Sequence, residues 1–193
     1  SLAKAVALRL AKPLVSVSLP PITGLEFSTG GYLAGGHGWL TWHRLPPPKL
    51  VIVDEELLAS RFKRTLPLAD IWAGVLEAYT SRRFNRLVAL LADSVVSTLI
   101  KLEPESLKNG VDDQASRSLG WASLCTGLAL ALIGAGPITT LSKVISTRTG
   151  ASASLIMAVL LSYWSEMAGG IIDSRIDETL RSRWRMVMLR KLR

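Results

Sequence analysis

Beyond Asp54 the apolar positions recur every three or four residues, the spacing that lines one face of a helix. EELLASRFKRT follows Asp54, whose side chain suits a helix start, and carries acids in its first turn and bases in its last. Pro67 then opens PLADIWAGVLEAY, where Leu68, Ile71, Trp72, Val75 and Leu76 form one stripe. A third helix is expected over about 82–102, with Phe84, Leu87, Val88, Leu91, Val95, Leu99 and Leu102 turned to the core. The last is expected to begin near Asp173, with Ile176, Leu180, Trp184 and Val187 on one face and Gly169 and Gly170 as a hinge before it.

The first fifty residues follow another pattern. Leu2, Val6 and Leu10 have helical spacing among Lys4, Arg9 and Lys12, and Pro13 ends that run. LVSVSL then alternates at period two, Pro20 and Pro21 break it, and GGYLAGGHG follows. Pro46, Pro47 and Pro48 make a stiff spacer before KLVIVD, which can form one short strand. The sequence therefore predicts a mainly all-α protein: a bundle of about five to six helices over 54–193, preceded by a basic helix and extended Gly/Pro-rich arm over 1–53 that leaves room for one short β-hairpin.

No charge appears between Arg117 and Lys143, and a second charge-free stretch runs from Thr149 to Ser165. At about 1.5 Å per residue, Leu119 to Gly136 reaches roughly 27 Å, close to the hydrocarbon thickness of a bilayer. Both stretches are rich in Ala, Gly and Ser, Pro137 stops the first, and Glu166 interrupts the second. Among Tyr163, Trp164 and Met167 that carboxylate calls for a partner, a structural ion pair being the simpler account.

Composition adds a surplus of apolar residues, 49% against 20% charged, with a net charge of +8 over 193 residues. A single domain of this size cannot hide so much apolar surface, which points to coverage by other chains or by lipid. The charge sits at the ends: residues 1–50 hold five Lys/Arg and one acid, and residues 172–193 hold seven and three, so each end is +4 around a neutral body. Such ends call for a polyanion.

Candidate chemistry is sparse. Cys125 has no partner cysteine and reads as a buried structural thiol. His37 and His43 in HGWLTWH fit no metal motif, and no metal site, cofactor signature, nucleophile elbow or complete phosphate loop is present. Asp112 and Asp113 stand where acids cap a helix start. No enzyme is expected. The candidate nucleic-acid contacts are Lys4, Arg9, Lys12, Arg44, Arg82, Arg83, Arg86, Arg181, Arg183, Arg185, Arg190, Lys191 and Arg193, because clustered cations repel one another unless phosphates neutralise them. Tyr32, Trp39 and Trp42, set among glycines and basic residues, are candidates for stacking on bases.

These features together suggest a structural coat subunit. It would assemble with copies of itself or a paralogous subunit and package nucleic acid in a helical virion or intracellular nucleoprotein filament. The architecture is broadly similar to helical-bundle coat proteins of filamentous viruses. The alternative is an integral membrane subunit of a larger complex, with a hairpin of 119–136 and 151–172 in lipid and the Arg-rich tail on the inner side.

Overall fold

The computed structural model describes residues 2–18, 26–35, 40–54, 56–57, 68–102 and 112–191; side chains at 18, 34, 40, 184 and 186–191 are outside that description. The segment EELLASRFKRT falls almost entirely outside it. In chain order the elements are α1 (Leu2–Arg9), β1 (Val15–Ser18), β2 (Gly30–Ala34), β3 (Leu40–Arg44), β4 (Leu50–Val53), α2 (Leu68–Thr80), α3 (Arg86–Lys101), α4 (Asp113–Ile133), α5 (Pro137–Thr149), α6 (Ala153–Arg175) and α7 (Glu178–Lys191). The protein is mostly helical, with a few strands.

α2 is the axis of the bundle and touches α3, α4, α5 and α6. Its apolar residues predict one buried stripe, yet every residue from Ile71 to Tyr79 is buried. The reason lies between the large residues: Ala73, Gly74 and Ala78 are small enough to let neighbouring helices close on the second face. At Gly74 an added Cβ would lie 2.2 Å from Thr126 Cγ2 of α4. Fully burying residues such as Ile71, Val75 and Leu76 contributes about 1.5–3 kcal/mol each.

Helix ends follow cap chemistry rather than periodicity. Asn85 Oδ1 accepts from the N–H groups of Leu87 (3.0 Å) and Val88 (3.1 Å), so α3 starts at Arg86, four residues after the expected start. Its buried face is Val88, Ala92, Val95, Val96 and Leu99, whereas Leu87 is 55% exposed. Asp112 Oδ1 caps α4 by accepting from Ala115 N–H (2.6 Å), as its position suggested. Gly134 closes α4 at φ +85°, a conformation open to glycine, and the chain turns into α5 at Pro137.

Gly169 and Gly170 form no hinge: α6 runs through both, and the break comes at Ile176. There Asp177 Oδ1 accepts from Thr179 N–H (2.8 Å) and starts α7. Glu166 is exposed on α6 and not among buried aromatics, so the partner expected for it is unnecessary. The outer side of α6 shows Leu155, Val159, Tyr163, Met167 and Ile171 at four-residue spacing.

The N-terminal arm is folded. β1 and β4 pair in parallel, Val15 with Leu50 through Ser18 with Val53. β2 and β3 form an antiparallel hairpin, Gly30 with Arg44 through Ala34 with Leu40. Val15, Val17, Leu50 and Ile52 are all exposed, leaving one face of the parallel pair apolar and bare.

Candidate functional site

The described chemistry converges where the β2–β3 hairpin meets the corner between α4 and α5. Tyr32 of β2 and Trp42 of β3 sit opposite each other in register and pack edge to face at 5.0 Å. The Trp42 ring lies over Gly30, 2.1 Å from where a Cβ would stand, so a side chain at position 30 would displace it. The Tyr32 hydroxyl and Thr140 Oγ1 of α5 are 3.2 Å apart, and Lys143 Nζ, one turn further on, lies 4.9 Å from the Tyr32 ring centre. A cavity of about 260 Å³ opens here, lined by Ser28, Thr29, Trp42, Arg44, Arg83, Leu130, Ala131, Gly134, Ala135 and Lys143.

Behind the cavity wall runs a buried polar seam. Glu77 of α2, 1% exposed, accepts from Gly136 N–H (Oε2, 3.0 Å), Thr139 N–H (Oε1, 2.7 Å) and Thr139 Oγ1–H (Oε2, 2.7 Å). It caps the start of α5 from another helix, where a negative charge also complements the helix dipole. Burial nevertheless pushes its pKa up, and the three hydrogen bonds oppose this only in part. Asp70, two turns earlier on the same face of α2, accepts from Ser154 Oγ–H (2.5 Å), and burial raises its pKa as well.

Burial holds the Lys143 amine below the usual lysine range, with the charges of Glu77, Glu26 and Asp70 pulling the other way. It is thus a cation that gives up its proton more readily than a solvated lysine while standing at a cavity wall. At the far end of α2, Arg175 Nη1 donates to the carbonyls of Tyr79 (2.5 Å) and Ser81 (2.8 Å) and its guanidinium stacks on Phe84. That contact fixes the turn carrying Arg83.

The sequence candidates separate into groups. Lys4 is buried, its amine donating to the carbonyls of Ser28 (2.5 Å) and Gly30 (3.4 Å), so it is not a phosphate contact. Arg44 and Arg83 meet at the cavity, while Arg9, Lys12, Arg82, Arg86 and Arg183 are exposed elsewhere. Arg185 pairs with Asp173 at 2.6 Å, and Arg181 Nε is buried. Tyr32 and Trp42 spend their faces on each other and on Gly30, and Tyr32 points its hydroxyl into the fold. Trp39, His37 and Arg193, and the side chains of Arg190 and Lys191, lie outside the described residues. Glu77, Asp70 and Lys143 were not singled out from sequence. An acid inside an otherwise apolar helical run, as in GVLEAY, was the available signal.

No known family profile matches the chain, and no curated protein matches it. Solved structures do. An iron-containing alcohol dehydrogenase from Corynebacterium glutamicum superposes with a TM-score of 0.76 at 18% identity, over 99% of this chain and 56% of its own. The iron-containing alcohol dehydrogenase of Thermotoga maritima gives 0.73 at 19%, over 94% and 51%. Maleylacetate reductase from a Rhizobium species gives 0.72 at 20%, over 89% and 51%. The chain spans about half the length of these enzymes, and at such identities the likeness establishes the fold.

That fold corrects four expectations. Helices expected to build a coat subunit or a lipid hairpin are instead those of a dehydrogenase architecture that covers nearly the whole chain. The assignments to a capsid, to nucleic-acid packaging and to a virion or membrane location fall with it, as does the expectation of a non-enzymatic protein. α4 and α6 are each long and apolar enough to cross a membrane, but α4 is largely buried against α2 and α3. The sequence went astray because a helix buried among other helices and a helix buried in lipid need the same apolar composition.

The iron named for two of those neighbours has no set of ligands among the described residues. Among the described residues no three His, Cys, Asp or Glu side chains converge. The chain has two histidines; His43 is exposed on β3 with its Nε2 2.7 Å from Thr41 Oγ1. Asp70 and Glu77 are engaged by Ser154, Gly136 and Thr139, and Thr126 and Leu130 fill the space beside Gly74. The described residues do not suit an iron centre.

Proposed function

We propose that this chain is the helical half of an oxidoreductase that interconverts carbonyl compounds and alcohols without histidine-bound iron. The observation that carries the reading is the bare apolar face of the β1–β4 pair within a fold that covers half of each dehydrogenase. Parallel sheets are stable when covered on both faces, and two strands alone are not a stable sheet. Val15, Val17, Leu50 and Ile52 therefore mark where further strands and helices dock, and carbonyl reduction needs a hydride that a nicotinamide cofactor bound there would supply. The cavity beside Lys143 opens under the hairpin of this same half, and its amine is placed to give a proton to an oxygen that gains negative charge.

The test is turnover by the native, full-length protein. Purified without added metal, it is offered aldehydes, ketones and alcohols with NAD(H) and NADP(H), and cofactor absorbance is followed. Carbonyl-dependent consumption that survives a chelator and drops at least tenfold in Lys143→Met supports the reading. Absence of turnover across the panel by folded protein refutes it.

A further inference from the structure

We propose that the cavity between the β2–β3 hairpin and the α4–α5 corner binds the oxyanion end of a small organic ligand, a carboxylate or a phosphate. Three cationic side chains from three separate parts of the chain line it: Arg44 from β3, Arg83 from the α2–α3 turn and Lys143 from α5. Neither Arg44 nor Arg83 forms an ion pair with a described residue, whereas the Lys143 charge is partly balanced by Glu77, Glu26 and Asp70, so the arginine charge is the part left for a ligand. Unpaired like charges brought together by folding repel one another, and an anion between them removes that cost. Arginine adds a planar fork of donors that matches the paired oxygens of a carboxylate or phosphate.

The rest of the lining defines the remainder of the ligand. Ser28 and Thr29 line it with hydroxyls, and Leu130, Ala131 and Ala135 add apolar groups suited to a short carbon skeleton. Gly134, at φ +85° with open space where its Cβ would stand, adds no side chain to that lining. At about 260 Å³ the cavity is smaller than the roughly 300 Å³ at which drug-sized sites begin, which fits a compact acid. Resting on the oxidoreductase reading, one further step follows: the substrate is a carbonyl compound that carries a carboxylate or phosphate beside the reacting carbon chain.

Binding tests the site independently of turnover. The full chain is titrated with inorganic phosphate and with succinate at constant ionic strength, by calorimetry, with sodium chloride as the blank. Saturable binding of either anion is expected, weakened about tenfold or more in Arg44→Gln and in Arg83→Gln, and unchanged in Arg82→Gln, which alters an exposed arginine outside the cavity. Both arginine variants change exposed side chains and should melt like the parent protein. The tighter of the two anions identifies the ligand as phosphorylated or carboxylic. No saturable binding, or equal weakening in Arg82→Gln, overturns the proposal; turnover failing while binding persists overturns only the oxidoreductase reading.

Discussion

Glu77 and Thr139 meet 62 residues apart in sequence, the carboxylate taking both the backbone N–H (2.7 Å) and the hydroxyl (2.7 Å) of the threonine. With Gly136 N–H as a third donor, this one side chain satisfies groups at the start of α5 that would otherwise be buried without partners. Glu77→Ala should destabilise the protein by about 3 kcal/mol or more, since an unsatisfied buried donor costs about 1–3 kcal/mol. Glu77→Gln, which keeps one acceptor but turns an amide donor toward another donor, should cost less. Urea unfolding followed by circular dichroism measures both; a change below about 0.5 kcal/mol for Glu77→Ala, the scale of an ordinary surface substitution, would show that water caps α5 equally well.

The same carboxylate sets a pH dependence. Burial raises the pKa of Glu77, Asp70 and Asp93 above their unfolded values. In the window between those values the folded state binds more protons than the unfolded state, so stability falls as pH rises. The contribution is fully present below the unfolded pKa and lost as pH climbs through the folded one. The exposed Asp177 has the opposite shift, and its contribution fades only in stronger acid, below its ordinary value. The melting temperature should therefore fall as pH rises above the ordinary carboxylate range of these groups, with a flatter profile in Glu77→Gln. A melting temperature that rises steadily from pH 5 to 7 would contradict this assignment.

Arg175 makes a comparable long-range cap at the C-terminal end of α2. Its Nη1 holds the Tyr79 and Ser81 carbonyls while its plane covers Phe84. Arg175→Leu should cost about 1.5–3 kcal/mol, the range for hydrogen bonds to a charged group. Arg175→Lys should recover only part, because an ammonium cannot stack and fork at once. Equal stability of the leucine variant and the parent protein would rule out the cap.

Packing at Gly74 can be isolated with a pair of changes. Thr126 Oγ1 donates to Ala122 O (2.8 Å), which holds its methyl against α2. Gly74→Ala gains about 1 kcal/mol of helix propensity yet meets that methyl, an overpacking cost of about 1–3 kcal/mol. It should be destabilising in the parent and neutral or stabilising in Thr126→Ser, where the methyl is gone. Additive effects in the double mutant would show that the two side chains do not compete.

What could be read from sequence was local. Asp112 caps the helix that begins beside it, Cys125 is buried as its apolar run implied, and Val88, Val95 and Leu99 face the core as their spacing required. Leu87 was misplaced because one residue of slip rotates a side chain by about 100° around a helix, and only the Asn85 cap fixes the phase. Glu77, Lys143 and Arg175 could not be located, since each is defined by groups 50 or more residues away or by a cavity wall from another element. The fold itself was hidden by the bare face of β1 and β4. Surplus apolar surface calls for a covering, but composition does not say whether that covering is lipid, another copy or a different chain.

The Lys4 amine, anchored on the carbonyls of Ser28 and Gly30, joins the first helix to the wall of the cavity. Proteolytic trimming of the leading dozen residues would thus leave the interior helices paired as before while loosening the loop that frames the anion pocket. Ligand affinity, rather than helix content, would be the first property to report such damage.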